Sequence, residues 1–235
     1  MERGNATSRL RANVYVDGLN LYGRLLKGHP EIKWLDVAAL AERLLPECDV
    51  LSINYFTAII KALPGSDPQS PQRQQAYLRA LSTDPRIRVF LGKFRVDRRL
   101  MHRHPTEFSA DGTPMMSWVK KAEEKGSDVN LASRILVDAA HGVADVYAVC
   151  TNDSDLVMPL NLVREEFGGR VCLISPTQLR RASNELKRTR PLWHRSIGPT
   201  DLAACQLPAV LTDEVGLIVR PSAWKFQGPR RSEAL

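Results

Sequence analysis

Short apolar segments alternate along this chain with segments of helical periodicity, and this alternation restricts the folds that are open to it. Several of the strand-like segments are apolar on both faces, which is typical of parallel strands covered by helices on two sides. The sequence therefore predicts an α/β protein with a mainly parallel sheet of five strands. These strands are predicted at Ala12–Val16, Val50–Ile60, Arg86–Phe94, Val146–Cys150 and Val171–Ser175.

Helices are expected between these strands, and the end of the regular alternation suggests where the domain stops. The segment from Arg95 to Pro114 is basic and is predicted to be irregular, followed by a short extended segment. We predict an N-terminal tail at 1–11, one domain at 12–195, and an extension at 196–235. The apolar residues of the extension predict that it docks on the domain or on a partner subunit, so a homodimer is a possible assembly. The helices are predicted at Trp34–Leu45, Gln72–Leu81, Asp128–Ala140 (with Ser127 as N-cap) and Leu156–Phe167.

Composition adds weak constraints on partners and location. The net charge of +7, from 33 basic and 26 acidic residues, leans toward polyanions such as nucleic acid. The four cysteines form no C-x-x-C pair, which favours a reduced, cytoplasmic protein without a zinc knuckle or disulfide framework. No apolar run has the length of a signal-peptide core or a transmembrane helix, so no membrane association is expected.

Four aspartates are predicted to meet at one edge of the sheet. Asp17 follows the first strand, Asp153 and Asp155 follow the fourth, and Asp128 lies in the first turn of a helix. Each one alone has an ordinary explanation as a turn residue, a helix cap or a complement to the helix dipole. Together they repel one another unless a cation lies between them, and oxygen ligands select Mg²⁺ or Mn²⁺.

Three motifs carry a resemblance to a known family. "VYVDGLNLY", "EKGSDVNLASRILVDA" and "VCTNDSDLVMPL" resemble the NYN domain, a branch of the PIN-like nuclease superfamily, over roughly Ala12 to Arg195. The resemblance implies a three-layer α/β/α fold and metal-dependent ribonuclease activity. The acidic positions of the family's motifs fall on the same four aspartates, and Asn20 matches the Asn of its D-G-x-N motif. Arg134 departs from the pattern, because many members carry a further acid along this helix.

The resulting hypothesis is a Mg²⁺- or Mn²⁺-dependent nuclease, most simply an endoribonuclease. Asp17 and Asp153 are the first choice as direct ligands, with Asp128 and Asp155 completing the set directly or through water. Asn20 is expected to orient a water molecule or the scissile phosphate. All five residues are predicted to be catalytic.

RNA is the expected partner, and the cations that would bind it are concentrated in one stretch. A solvated charged face is the alternative explanation for these residues. The competing functions are a non-cleaving RNA-binding or regulatory module, a metal-dependent phosphatase, and a glycosyltransferase using D-x-D. The predicted nucleic-acid-binding residues are Arg95, Arg98, Arg99, His102, Arg103, His104, Lys120, Lys121 and Lys125.

Overall fold

A seven-stranded sheet forms the centre of the computed structural model, which describes residues 9–62 and 67–225. Most of the predicted N-terminal tail, residues 63–66 of the loop before the helix predicted at Gln72–Leu81, and the last ten residues of the extension lie outside the described residues. The strand order is β4-β3-β2-β1-β5-β6-β7. The strands are β1 Leu10–Asp17, β2 Cys48–Ala58, β3 Ile87–His102, β4 Met116–Lys125, β5 Val146–Cys150, β6 Arg170–Ser175 and β7 Trp193–Ser196.

The α/β class is confirmed, but the prediction of a five-stranded sheet is wrong, because two further strands close its edges. All neighbouring strands are parallel except β3 and β4, which run antiparallel. The edge strand β7, sequence WHRS, has only four half-buried residues, and β4 is mostly exposed. The extended segment predicted at Met115 to Lys121 overlaps β4 but was not assigned to the sheet. Neither β4 nor β7 is apolar on both faces, since an edge strand buries less of its surface.

Helices cover both faces of the sheet and bury two separate apolar clusters. One cluster includes side chains of α2, α3 and α7, and the other includes side chains of α4, α5 and α6. A short α1 and a π-helical turn, Tyr22–Leu26, follow β1 directly. The helices are α1 Gly18–Leu21, α2 Val37–Leu44, α3 Ser70–Leu81, α4 Ser127–Ala140, α5 Val157–Glu165, α6 Asn184–Arg188 and α7 Pro199–Ala204.

The register of the central strands places the ends of β1 and β5 side by side. Val16 pairs with Cys150 across the parallel β1–β5 ladder, so Asp17 and Thr151 emerge next to each other. On the other side Asp17 pairs with Phe56 near the end of β2. Since parallel strands end at the same edge, groups that are distant in sequence meet there.

Beyond Gly92, β3 leaves the main sheet and continues as one strand of an arm. Its residues Lys93 to His102 pair only with β4, whereas Ile87 to Gly92 pair with β2. We call the segment Lys93–Lys125 the β3–β4 arm. The prediction that Arg95 to Pro114 is irregular is therefore wrong for its first eight residues, which pair with β4 residues between Met116 and Glu123.

The residues after β7 pack on the same face as α2 and α3. They include the antiparallel pair β8 (Val210–Asp213) and β9 (Gly216–Val219) and a 3₁₀ turn at Ser222–Trp224. The indole of Trp34 donates to the carbonyl of Pro208 at 2.8 Å, and the ring of Trp224 lies 6.1 Å from the ring of Trp34. In the part of the chain described, no helix is both long and apolar enough to cross a membrane.

Candidate active site

Asp17 ends β1 and is held by two hydrogen bonds. Its Oδ1 accepts from the backbone N–H of Asn20 at 2.9 Å, which makes Asp17 the N-cap of α1. Its Oδ2 accepts from Thr151 Oγ1 at 3.0 Å, across the β1–β5 ladder. The side chain is fixed from both strands, and only 4% of the residue is exposed.

Burial changes the acidity of Asp17. Desolvation raises its pKa from 3.8 to about 6, and the charges of Asp128 and Asp153 add to this effect. The hydrogen bonds from Asn20 and Thr151 stabilise the carboxylate and oppose the shift. The outcome is a fixed carboxylate that exchanges a proton close to neutral pH, as a general base requires.

The loop after β5 is tied to the turn after β1 through side chains. Asn20 Oδ1 accepts from the backbone N–H of Asn152 at 3.2 Å, and Asn152 Oδ1 accepts from the N–H of Ser183 at 2.8 Å. Thr151 Oγ1 also accepts from the N–H of Asp153 at 3.1 Å. Asn20 therefore holds the two loops together. The role predicted for it, orienting water or phosphate, stays a prediction.

The other three predicted aspartates lie at the same edge of the sheet. The pKa of Asp128 is raised, first by burial and then by the charges of Asp153, Glu124 and Asp155. Asp153 caps the short turn after β5 by accepting from the N–H of Asp155 at 3.1 Å. Asp17 and Asp128 thus both lie within electrostatic range of Asp153, which agrees with the convergence expected from the sequence.

Glu124 is an additional acid that the sequence did not single out. Its Oε1 accepts from the N–H of Ser127 at 2.8 Å, at the start of α4. A Cβ at position 92 would collide with this carboxylate, so Gly92 permits the close approach of β3. The N-cap of α4 is Gly126, with φ +102°, and not Ser127 as predicted. Across residues 9–62 and 67–225, no group of three or more His, Cys, Asp or Glu side chains is arranged to hold a metal ion.

A cavity of about 140 Å³ opens beside Asp17, between α1, the end of β2 and α3. Its walls are mainly apolar, and four aromatic side chains contribute to them. Gly18 and Leu19, the two residues after Asp17, form part of the wall. The other lining residues are Tyr22, Leu26, Lys33, Tyr55, Thr57, Ile60, Ser70, Arg73, Gln74, Tyr77, Leu78 and Trp224.

Tyr55 lines the cavity next to the turn that follows Asp17. A Cβ at Gly18 would lie 2.6 Å from the ring of Tyr55, so only glycine allows this approach. Burial, and then the charge of Asp17, raise the pKa of Tyr55, which keeps the phenol protonated. Within the described residues its hydroxyl has no hydrogen-bond partner, so it can donate to a ligand.

Two cations stand at this cavity, and their surroundings differ. Lys33 Nζ lies 5.4 Å from the centre of the Tyr22 ring, and no carboxylate pairs with it among the described residues. Arg73 is paired with Asp67 and also donates to Ser70 Oγ at 3.2 Å. Lys33 is therefore the cation that is available to an anionic ligand.

The nine predicted nucleic-acid-binding residues all lie on the β3–β4 arm. Five of them are in ion pairs within the chain: Arg95 with Asp97, Arg99 with Glu123, Arg103 with Glu107, and Lys121 and Lys125 with Glu123. Arg98, His102, His104 and Lys120 make no ion pair in the portion described. The pairing supports the alternative of a solvated charged face for part of the arm, and RNA contact stays a prediction.

Sequence reasoning missed the cavity because its walls come from separate segments. Tyr22, Lys33, Tyr55 and Trp224 were not among the site residues predicted from the sequence. Tyr55 sits inside an apolar strand, and Lys33 is a single charge in a loop. The glycine at position 18, after the strand-ending Asp17, is the local signal that could have indicated the close approach of another group.

Comparison with known proteins gives one relative that covers the whole chain. No family model matches. The chain is 32% identical to 6-hydroxy-3-succinoylpyridine 3-monooxygenase HspA of Pseudomonas putida (strain DSM 28022 / S16), over 260 aligned positions that include all of this chain and 82% of the relative. A crystal structure of a protein of unknown function from Vibrio parahaemolyticus matches with a TM-score of 0.48 and 17% identity, over 88% of this chain and all of that one.

The relative corrects the family and the function predicted from the motifs. Assignment to the NYN nucleases is wrong, because the full-length relative is a monooxygenase. The predicted ribonuclease activity is wrong for the same reason, and the relative does not support a phosphatase or an RNA-binding module either. The expected Mg²⁺ or Mn²⁺ is wrong for the same reason, and the described residues form no metal-binding group. The motifs reflect a carboxylate-rich sheet edge, which does not by itself specify the chemistry.

Proposed function

The chain belongs to the family of 6-hydroxy-3-succinoylpyridine 3-monooxygenase HspA, and on this premise we propose that it is a monooxygenase of small aromatic substrates. HspA, as its name states, acts at position 3 of a pyridine that carries a hydroxyl and a succinoyl group. We propose a substrate of the same chemical kind for this chain, namely one aromatic ring with an ionisable oxygen and an acidic side chain. The observation that carries the proposal is the aromatic cavity beside Asp17.

The size of the cavity supports a single ring. Its volume is about 140 Å³, and an apolar cavity of about 150 Å³ is sufficient to bind benzene. The rings of Tyr22, Tyr55, Tyr77 and Trp224 offer both faces and edges to a planar ligand. Tyr77 is itself fixed, because its hydroxyl donates to the carbonyl of Leu35 at 2.8 Å.

Lys33 supports an acidic side chain on the substrate. A carboxylate at the cavity would gain a charge-assisted hydrogen bond from Lys33 Nζ, which has no acidic partner among the described residues. The Tyr22 ring beneath Lys33 restricts the position of the ammonium group. Arg73 is a weaker candidate, because Asp67 already neutralises it.

Asp17 and Tyr55 supply the proton chemistry. With a pKa of about 6, Asp17 is mostly ionised at pH 7. Since Asp17 does not itself line the cavity, it would accept the proton of a ring hydroxyl through one intervening water molecule. Loss of this proton makes the ring more electron-rich and therefore more reactive toward electrophilic oxygen. Tyr55 stays protonated and donates a hydrogen bond that orients the ring oxygen.

The overall reaction requires dioxygen and a reductant. One oxygen atom forms the new C–OH bond at the ring carbon that carries the acyl side chain, and the bond from this carbon to the side chain breaks. With two electrons and two protons consumed, the other oxygen atom leaves in the carboxylic acid that the side chain becomes. Flavins are one class of group that carries such chemistry. The cavity is too small for three fused flavin rings beside a substrate ring, and the D-G-L-N turn lacks the glycine spacing of a dinucleotide site. The electrons are therefore proposed to come from an external donor of the reduced-nicotinamide or reduced-flavin class.

Isotope labelling tests this function. The purified protein would be incubated with 6-hydroxy-3-succinoylpyridine or 6-hydroxypyridine-3-carboxylate, a reduced nicotinamide or flavin, and ¹⁸O₂. We expect one ¹⁸O atom in the product by mass spectrometry, with reductant consumed in equal amount. Lys33→Met should raise KM about tenfold or more, because a charge-assisted hydrogen bond contributes roughly 1.5–3 kcal/mol. Lys27→Met, which removes the same charge from an exposed position outside the cavity, is the matched control.

Two results would contradict the proposal. One is the absence of ¹⁸O in any product with both substrates and both reductants. The other is the absence of quenching of tryptophan fluorescence by either aromatic acid, because Trp224 lines the cavity. Activity that is equally reduced by the Lys33 and Lys27 variants would remove Lys33 from the site but leave the reaction in place.

A further inference from the structure

Strand β4 forms one edge of the sheet, and its outer side has no neighbour in the described parts of the chain. Its alternate backbone groups can be assigned to the two sides. The N–H of Arg103 donates to the carbonyl of Met115 at 3.1 Å, which makes this a hydrogen-bonded pair of the β3–β4 ladder. Since the pattern alternates, odd-numbered residues of β4 face β3, and even-numbered residues point their N–H and C=O groups outward.

The charges of β4 are complementary to themselves about Ala122. The sequence Lys120-Lys121-Ala122-Glu123-Glu124 places two cations before this residue and two anions after it. An antiparallel pair of identical strands centred on Ala122 would set each lysine opposite a glutamate of the other copy. Interfaces with two-fold symmetry require this kind of self-complementarity.

We propose that β4 pairs with β4 of a second copy of this chain, antiparallel and centred on Ala122, so that the two sheets become continuous. The backbone assignment agrees with this register, because Ala122 is among the residues whose N–H and C=O groups point outward. The central pair would exchange two hydrogen bonds, as would Lys120 and Glu124 of the second copy. A centre midway between two residues would pair even-numbered with odd-numbered residues, so the outward-facing groups would not meet. A centre on Lys121 or on Glu123 would place like charges opposite each other.

The apolar side chains of the arm fit the same register. Trp118 is 71% exposed and would lie opposite Gly126 of the second copy, which has no side chain to obstruct it. Val119 would lie opposite Lys125 of the second copy, whose aliphatic stem can cover it. A dimer would therefore cover an aromatic residue that the single chain leaves open to water.

Protection against aggregation is the competing explanation for charges on an edge strand. Lysines alone serve that purpose, and it does not call for two glutamates at the symmetric positions. Glu123 already contacts Arg99, Lys121 and Lys125 of its own chain. These contacts are exposed and weak, so they do not prevent a new cross-strand partner.

Charge exchange tests the register without any use of activity, so the outcome is independent of the proposed function. Sedimentation velocity of the wild-type full chain at micromolar concentration should show a dimer. The double variant Lys120→Glu, Lys121→Glu should be monomeric, because four acids then face four acids. The double variant Glu123→Lys, Glu124→Lys should be monomeric for the opposite reason. Mixing the two should restore a dimer, since every position then faces its opposite charge.

A backbone variant completes the test. Ala122→Pro removes an outward N–H and leaves the β3–β4 ladder in place, and proline is tolerated on edge strands. It should abolish the dimer while circular dichroism shows an unchanged melting transition. A monomeric wild type, a dimer that persists in either charge variant, or failure of the mixture to associate would each overturn the proposal.

Discussion

The end of β1 and the β3–β4 arm are both rich in charge, but their carboxylates behave in opposite ways. Burial raises the pKa of Asp17 to about 6. Hydrogen bonds from Lys121 and Lys125, and the charge of Arg99, lower the pKa of Glu123 to about 2. The residue types are similar, so the surroundings make the difference. A buried carboxylate that has no cation beside it becomes a proton acceptor. A carboxylate that is surrounded by exposed cations forms structural ion pairs instead.

The largest effect on stability is expected at Gly18, directly after β1, where the backbone packs closely against a buried ring. Gly18→Ala should reduce the free energy of unfolding by about 2 kcal/mol, because the new Cβ overlaps the buried ring of Tyr55. Gly23→Ala is the control in the adjoining turn, where nothing lies within 4 Å of the added Cβ. Urea denaturation of both variants checks the difference. Equal stability of the two would show that the Tyr55 ring can move freely.

The second prediction concerns the buried charge itself. Asp17→Asn should increase the free energy of unfolding at pH 7 by about 2 kcal/mol, since the uncompensated desolvation of the carboxylate is removed. The same variant should lose most of its oxygenation activity, because it can no longer accept a proton. Thermal denaturation and the ¹⁸O assay measure the two effects. A variant that is less stable and still active would place Asp17 in a structural role.

The direction of the pKa shift of Asp17 determines how the stability difference between Asp17→Asn and the wild type changes with pH. The pKa of Asp17 is higher in the folded protein than its ordinary value of 3.8, so the folded state binds the proton more tightly. The stability that this group contributes is therefore present at low pH and is lost as the pH rises from about 4 to about 6. The advantage of Asp17→Asn should vanish near pH 4 and be complete above pH 6. An advantage that does not change with pH would mean that charge is not its cause.

The smallest effect is expected on the arm. Arg99→Gln should change the free energy of unfolding by less than about 0.5 kcal/mol, because it removes one exposed ion pair with Glu123 and leaves two lysines beside this acid. Chemical denaturation at low and high salt measures this effect. A loss comparable to that of Gly18→Ala would show that the arm is held by its charges, and the contrast between the two regions would be wrong.

Local pattern was sufficient for the central strands and for the acids that follow them. The strand at Val146–Cys150 was predicted with its observed bounds, because every residue in it is buried and the pattern is therefore continuous. Asp17, Asp153 and Asp155 could be placed at one edge because parallel strands end together, and Asp128 could be placed there from its position in the first turn of a helix. The chemistry did not follow from this placement. Acids at a sheet edge are compatible with several reactions, and the relative was needed to choose among them.

The sequence by itself determined the α/β class and the meeting of four aspartates at one sheet edge, because burial periodicity and strand direction act over short distances. Only the tertiary structure decided the paired arm of β3 and β4, the edge strand β7, and the cavity of Tyr22, Lys33, Tyr55 and Trp224. These features depend on contacts between segments that are far apart, where one side chain or one weakly apolar strand leaves little local signal. Burial beside such contacts also raises the pKa of Asp17, a property that the position of an aspartate in the sequence does not carry.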